Sequence, residues 1–219
     1  MNLSYIATLM PALMQGLAQT LKLFALTLLF SLPLGLVFTL GSISRVPPLR
    51  WVSRIYIWIF RGTPLMLQLF FIYYGLPFMG LTFDRFPAAV LTFVLNYAAY
   101  FAEIYRAGIQ SIDRGQHEAA KTLGFTPWQT MRYIIIPQTV SRVIPPVCNE
   151  TITLVKDTAL VTAIGVGELL KAAQGAVNRD VNITAYAVAA LIYLAITFVM
   201  TMAYERLERY FSRHQKKEG

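Results

Sequence analysis

The run LFALTLLFSLPLGLVFTLGSIS, at residues 23–44, contains no Asp, Glu, Lys or Arg. A bilayer core about 30 Å thick is crossed by a helix of roughly 20 apolar residues, so this run is long enough to span it. Residues 62–83 and 181–204 also lack these charged residues, and 86–102 comes close to them in length. Helices buried in a soluble protein explain apolar runs of about 10–14 residues, which are much shorter. The sequence therefore predicts four transmembrane helices.

A fifth transmembrane helix is predicted between residues 142 and 167, on weaker grounds. This stretch is apolar in patches but carries Glu150, Lys156 and Asp157. We expect a single all-α integral membrane domain over residues 1–219, with a short separate helix lying on the outer surface within residues 1–19. The five spans are predicted at 20–43, 51–76, 86–110, 140–166 and 183–208.

The positions of Lys and Arg predict the orientation of these spans. None occurs in the first 21 residues, whereas three lie at 45–54, five at 106–142 and five in the tail from residue 206. Because positive residues favour the cytoplasmic side, we expect the N-terminus outside and the C-terminus in the cytoplasm. Lys171 and Arg179, between the last two spans, are exceptions. This topology explains the net charge of +8, and no soluble domain gathers the basic residues for binding nucleic acid.

A polar segment, EAAKTLGFTPWQTMRYIIIPQ at residues 118–138, separates the third and fourth spans. Just before it, Asp113 and Gln116 have the spacing of a helix cap and its reciprocal partner, which predicts that a helix begins there. Gly124 suits the end of that helix, because glycine readily adopts the left-handed conformation.

A second short helix is predicted directly after this bend. Thr126 suits its N-cap, Pro127 its first turn and Gln129 the return bond to the cap. Pro137 is expected to end it before the fourth span. The segment is thus predicted to form two short helices on the cytoplasmic face, although its chemistry alone favours a simple amphipathic connector.

The same segment resembles the EAA loop of ATP-binding-cassette (ABC) importer permeases. The family usually has Leu where this chain has Ile136. Three other stretches resemble the polar amino acid branch of the family: 60–64 (FRGTP), 102–109 (AEIYRAGI) and 149–158 (NETITLVKDT). The resemblance extends from about residue 16 to residue 204. Within the EAA loop it rests on Glu118, Ala119, Ala120, Gly124, Ile134 and Pro137.

The resemblance implies a type I importer permease fold, with five spans and with cytoplasmic coupling helices between spans three and four. Such a subunit lies in the bacterial cytoplasmic (inner) membrane and pairs with a second permease subunit, identical or homologous. It would contact a cytoplasmic ABC ATPase dimer through the loop 113–137, by the six residues just named. An extracytoplasmic solute-binding protein would deliver an amino-acid substrate, which then crosses by alternating access.

The chain itself is not expected to be an enzyme. It has no glycine-rich phosphate loop followed by Lys and Ser or Thr. We therefore expect ATP to be used by the partner subunit, with no cofactor bound by this chain. The two histidines are far apart in the sequence, so no metal site is expected. The alternative is an ion-coupled secondary transporter or a channel for a small solute, which gives no reason for capped cytoplasmic helices.

Six polar residues are predicted to lie at depth in the membrane and to form a substrate site. Ionisable groups are costly there and usually face a cavity or a partner. The competing interpretation is that such groups pair with one another and hold the helices in register, which the spacing of Glu103 and Arg106 favours. The sequence leaves open which amino acid is carried and whether the two permeases are identical. The six candidates are Arg61, Thr63, Asn96, Glu150, Lys156 and Asp157.

Overall fold

The computed structural model describes residues 3–212, and every regular element within them is helical. The last basic residues of the tail, Arg213, Lys216 and Lys217, lie outside the described residues. Between 3 and 212 the α-helices are α1 (Leu3–Ile43), α2 (Pro47–Gly62), α3 (Leu65–Phe70), α4 (Arg85–Gln110), α5 (Arg114–Thr122), α6 (Pro127–Thr130), α7 (Ile136–Asp157), α8 (Leu169–Asp180) and α9 (Thr184–Ser212).

Helix α1 is one continuous helix of 41 residues. The expected separate helix within residues 1–19 is therefore wrong. At 1.5 Å per residue α1 is about 60 Å long, which is twice the thickness of the hydrocarbon core. Residues 3–19 are continuous with the first predicted span. They pack on α8 and α9, where Leu9 and Leu13 are almost fully buried.

The predicted second span, 51–76, is broken in the middle. Helix α2 ends at Gly62, and the helical stretch Leu65–Met79 that begins with α3 leaves it at an angle of 104°. Pro64 has no amide hydrogen and disfavours helical geometry at the residue before it. Thr63 accordingly has extended backbone angles, with φ −120° and ψ 147°. A π-helical turn and a 3-10 turn then carry the chain to Met79.

The third and fifth predicted spans correspond closely to α4 and α9. The fourth is less regular, because α7 ends at Asp157 and is followed by a 3-10 turn, Thr158–Ile164. The chain then forms α8, where the sequence suggested only a short loop. Among the described residues, three helices are long and apolar enough to cross a membrane, and two bent pairs raise this number to as many as five. Five spans therefore stay a prediction.

Helix α4 lies at the centre of the fold. Its aromatic residues Phe93, Tyr97 and Phe101 are almost completely buried. Helix α1 packs along it so closely that Thr39 donates a hydrogen bond to the carbonyl of Ala102 at 3.0 Å. Helices α2 and α7 pack on other faces of α4. Polar groups carried by α2, α4 and α7 can therefore meet around this central helix.

Candidate functional site

The break between α2 and α3 is held together by two amide side chains. Because Pro64 has no amide hydrogen, the carbonyl of Phe60 loses the donor that a continuous helix would supply. Nδ2 of Asn96 donates to this carbonyl at 3.1 Å, and Nε2 of Gln68 donates to it at 2.9 Å. Nδ2 of Asn96 also donates to Oε1 of Gln68 at 2.9 Å. Asn96 is only 3% exposed, so its amide stabilises the break.

Thr63 belongs to the same network. Its hydroxyl donates to the carbonyl of Ile59 at 2.8 Å and accepts from Nε2 of Gln68 at 2.7 Å. The structure thus brings the candidates Thr63 and Asn96 together around the break. The sequence analysis did not single out Gln68; the available signal was an amide side chain within an apolar run.

Asp157, at the end of α7, is paired with a tyrosine of α4. The hydroxyl of Tyr97 donates to Oδ2 of Asp157 at 2.8 Å. Tyr97 is 1% exposed, and its ring packs between those of Phe93 and Phe101. The carboxylate of Asp157 is half-buried. The sequence analysis did not identify Tyr97, because its partner is 60 residues away along the chain.

Glu150 lies on the same face of α7 as Asp157, two turns earlier. Seven residues correspond to about 10 Å along a helix. Glu150 is half-buried and makes no hydrogen bond or ion pair to any residue between 3 and 212. Lys156 is exposed, and it makes no hydrogen bond or ion pair with the Tyr97–Asp157 pair. Of the α7 candidates, Glu150 is the half-buried carboxylate that is open to an added ligand.

Arg61, at the end of α2, reaches across to α4. Its Nη1 lies 3.7 Å from Oε1 of Glu103, and its guanidinium carbon lies 5.5 Å from the ring centre of Tyr100. Glu103 is held more tightly by Arg106, whose Nε and Nη2 donate to the two carboxylate oxygens at 2.9 and 2.5 Å. Glu103 and Arg106 therefore form a structural pair. Arg61 adds a second, partly exposed cation beside it.

The polar segment 113–137 begins and bends as short-range rules require. Oδ1 of Asp113 accepts from the backbone N–H of Gly115 at 2.6 Å, so Asp113 caps α5. The reciprocal bond from Gln116 is not made; its side chain accepts from Nε2 of Gln138 at 3.2 Å instead. Gly124 has φ +79°. The N–H groups of Gly124 and Phe125 close the end of α5 by bonding the carbonyls of Lys121 and Ala120.

The second start, at Thr126, is the predicted capping box. The N–H of Gln129 donates to the Thr126 hydroxyl at 3.3 Å, and the N–H of Thr126 donates to Oε1 of Gln129 at 2.8 Å. The expected helix end at Pro137 is wrong. Helix α6 passes through a π-helical turn, Met131–Ile135, directly into α7. The wider π turn makes room for the Pro137 ring, which an α-helical turn would not.

Several large apolar side chains of this segment are uncovered. Leu123, Trp128 and Tyr133 are each more than 60% exposed. Of the predicted coupling residues, Ala120 is not open to a partner, because it is only 1% exposed and packs inside. The others are exposed or half-buried: Glu118, Ala119, Gly124, Ile134 and Pro137.

Hydrogen bonds also join α7, which follows this segment, to the end of α4. Nη1 of Arg142, on α7, donates to the backbone carbonyl of Ser111 and, at 3.1 Å, to its hydroxyl. Ser111 follows the last residue of α4. Arg142 therefore joins the first part of α7 to the end of α4.

Glu168 is a buried carboxylate that the sequence analysis missed. Its side chain is completely inaccessible and caps the N-terminus of α8. Oε1 accepts from the Thr162 hydroxyl at 2.5 Å and from the N–H of Lys171 at 2.7 Å. Oε2 accepts from the Tyr193 hydroxyl at 2.7 Å and from the N–H of Leu170 at 2.9 Å. Four donors thus compensate for the burial of this charge.

A continuous helix runs from the polar segment 113–137 to a pair of half-buried carboxylates, and it packs on a broken span. This arrangement suits a membrane transport subunit. A family model described as "Binding-protein-dependent transport system inner membrane component" matches residues 31–213. The chain therefore belongs to this family of transport permeases.

Curated relatives cover almost the whole chain. The L-cystine transport system permease protein TcyB of Bacillus subtilis (strain 168) is 42% identical over 209 residues, which cover 94% of this chain and 89% of the relative. The arginine transport system permease protein ArtQ of the same strain is 41% identical over 213 residues, covering 95% and 97%. The glutamine transport system permease protein GlnP of Escherichia coli (strain K12) is 37% identical over 202 residues, covering 91% and 92%. These relatives confirm the resemblance to the polar amino acid branch.

A solved structure supports the fold. A chain of an amino acid ABC transporter crystallised with histidines superposes with a TM-score of 0.91, at 36% identity, and the match covers 96% of this chain and 99% of that one. A chain of the MetNI methionine ABC transporter superposes with a TM-score of 0.74 at 21% identity, covering 93% and 98%. The second likeness concerns the fold alone.

Proposed function

We propose that this chain is the permease subunit of an ATP-driven importer for a polar amino acid. It crosses the inner membrane five times, with the N-terminus outside and the C-terminus in the cytoplasm. The names of the relatives support an amino-acid substrate, since they specify cystine, arginine and glutamine transport. Two bent helix pairs and three long apolar helices are compatible with five spans. No cofactor binds this chain, and ATP is hydrolysed by a partner ATPase dimer.

The substrate is bound beside the α7 carboxylates. A half-buried carboxylate without a partner is costly in a membrane protein unless a ligand or water compensates its charge. Glu150 is such a group, and this observation carries the assignment. The ammonium group of the amino acid pairs with Glu150 or Asp157. The side chain of Arg61, which is within electrostatic range of Glu150, receives its carboxylate.

Transport is driven from the cytoplasmic segment. The exposed apolar side chains of Leu123, Trp128 and Tyr133 supply a contact surface for the ATPase, since patches of this kind mark interaction sites. Movement there passes along the continuous helix from α6 to α7 and through Arg142 to α4. The site then opens alternately outward and inward. A second permease, identical or homologous, completes the pathway, and an extracytoplasmic binding protein delivers the substrate.

The test is uptake of labelled amino acids by the reconstituted complex. Glu150→Ala and Asp157→Ala are each expected to abolish uptake while the complex with the ATPase still assembles. Glu205→Ala, which removes an exposed carboxylate from α9, is the matched control and is expected to transport normally. Normal uptake by both α7 variants would reject the site. Uptake by the permease without any ATPase would favour an ion-coupled secondary transporter instead.

A further inference from the structure

Four basic residues lie on the side of the chain that the proposed orientation places outside the cell. They are Lys22, Arg85, Lys171 and Arg179. Positive residues are depleted on that side of membrane proteins, so each of them calls for an explanation. Arg179 has one, because its Nε and Nη2 each donate to Asp180 at 2.7 Å. The other three have no carboxylate partner among the described residues.

These three cations surround one cavity of about 610 Å³. Arg85, from the start of α4, and Lys171, from the first turn of α8, both line it. Lys22 lies beside it, with Nζ 4.9 Å from the ring centre of Phe86, another lining residue. Three separate helices thus bring positive charge to a single concave surface.

The cavity contains no negative charge of its own. Among the described residues that line it there is no Asp or Glu. Glu168 is next to the lining turn 165–167, but its carboxylate is fully buried and already accepts four hydrogen bonds. Lys22, Arg85 and Lys171 therefore make no ion pair with a carboxylate among the described residues.

Arg85 is held in place by its surroundings. Its Nε donates to the Tyr73 hydroxyl at 3.3 Å, which leaves the remaining guanidinium donors unused among the described residues. The guanidinium carbon lies 3.5 Å from the position that a Cβ at residue 165 would occupy. This is an ordinary van der Waals distance, so the planar group lies directly against the turn at residue 165.

We propose that this cavity is the docking site for a carboxylate side chain of the extracytoplasmic binding protein. The inference rests on the proposed function and its orientation. The family is dependent on a binding protein by its description, and the cavity opens on the face where such a protein arrives. The α1 wall is small and polar, which suits a hydrated protein contact better than lipid acyl chains. Its residues are Ala12, Gln15, Gly16 and Gln19.

The first experiment reverses one charge. In lipid nanodiscs holding the complete transporter, Lys171→Glu is expected to raise about tenfold the concentration of amino-acid-loaded binding protein needed for half-maximal stimulation of ATP hydrolysis. Only the backbone N–H of Lys171 takes part in the α8 cap, so the substitution leaves that cap intact. Asn178→Glu adds an acidic side chain elsewhere on α8 and is the control. High salt should reduce the difference between wild type and Lys171→Glu.

The second experiment identifies the contact directly. A carbodiimide joins a carboxylate to a neighbouring lysine amine, so it should link the binding protein to Lys171, as peptide mass spectrometry can show. Lys171→Arg keeps the positive charge but cannot form this link, and it should retain stimulation at wild-type concentrations. This variant separates the loss of the amine from the loss of docking.

Three results would overturn the inference. One is an unchanged half-maximal concentration for Lys171→Glu, and another is a cross-link confined to lysines other than Lys171 and Lys22. The third is an effect of Lys171→Glu that follows the fraction of anionic lipid in the nanodisc and not the binding protein, which would assign the cavity to a lipid headgroup. If the binding protein fails to stimulate the wild-type complex at all, the proposed function itself is wrong.

Discussion

Nδ2 of Asn96 donates to Oε1 of Gln68 at 2.9 Å, and both amides also bond the carbonyl of Phe60. Two residues 28 positions apart thus replace the hydrogen bond that Pro64 cannot donate. This pair lies at the sharp bend of the second span.

Asn96→Leu is expected to destabilise the purified complex, because it leaves Oε1 of the half-buried Gln68 without the donor that Asn96 supplies. An unsatisfied buried polar group costs about 1–3 kcal/mol, which should appear as a lower midpoint of thermal unfolding. Asn178→Leu, at an exposed position of α8, is the control. Equal midpoints for the two variants would show that the bend does not need Asn96.

Glu168→Gln is expected to destabilise the protein more strongly. The carboxylate accepts from four donors, whereas an amide would turn its own N–H groups toward two of them. We expect a loss of about 3 kcal/mol and poor assembly of the complex, measured by thermal unfolding and by co-purification. Glu205→Gln should behave like the wild type, since Glu205 is exposed on α9. A wild-type unfolding midpoint for Glu168→Gln would contradict the role of this cap.

Gly124→Asp is expected to weaken binding of the ATPase. A Cβ at Gly124 would meet no atom of the chain within 4 Å, so a side chain there would project toward a partner. Both Asp and Asn tolerate the left-handed conformation at φ +79°. Gly124→Asn therefore controls for backbone and size, and a greater loss of co-purified ATPase with Asp would identify the charge as the cause. Unchanged co-purification and uptake with Gly124→Asp would refute the contact.

Tyr97→Phe is expected to impair substrate binding without unfolding the protein. The substitution keeps the buried ring but removes the hydrogen bond that orients Asp157. A bond of this kind contributes about 1 kcal/mol, so the KM for uptake should rise about fivefold while the maximal rate changes less. Tyr105→Phe removes a half-buried hydroxyl from the same helix and is the control. If both variants show the wild-type KM, Asp157 does not need Tyr97.

The sequence predicts the parts of this fold that depend on local rules. Charge-free length predicts α4 and α9, and the capping signals around Thr126 predict the start of α6. The 104° break is different, because Pro64 alone indicates only a kink, and the amides of Gln68 and Asn96 that bond at the break come from positions 28 residues apart. The helix end expected at Pro137 failed because a π turn accommodates the proline ring.

The site residues also divide into those that local sequence predicts and those that depend on distant partners. The α7 carboxylates were visible as costly charges in an apolar stretch. Tyr97 and Glu168 were not, since their roles depend on partners far along the chain: Asp157 for Tyr97, and Tyr193 for Glu168. An isolated glutamate next to glycines gives no local sign that it will be buried.

The unbroken helical path from Pro127 to Ile164 has a mechanical consequence. Trp128 and Glu150 both lie on this one helical path. A rotation of this path as one body would turn both residues together, without a relay of intermediate side chains between them.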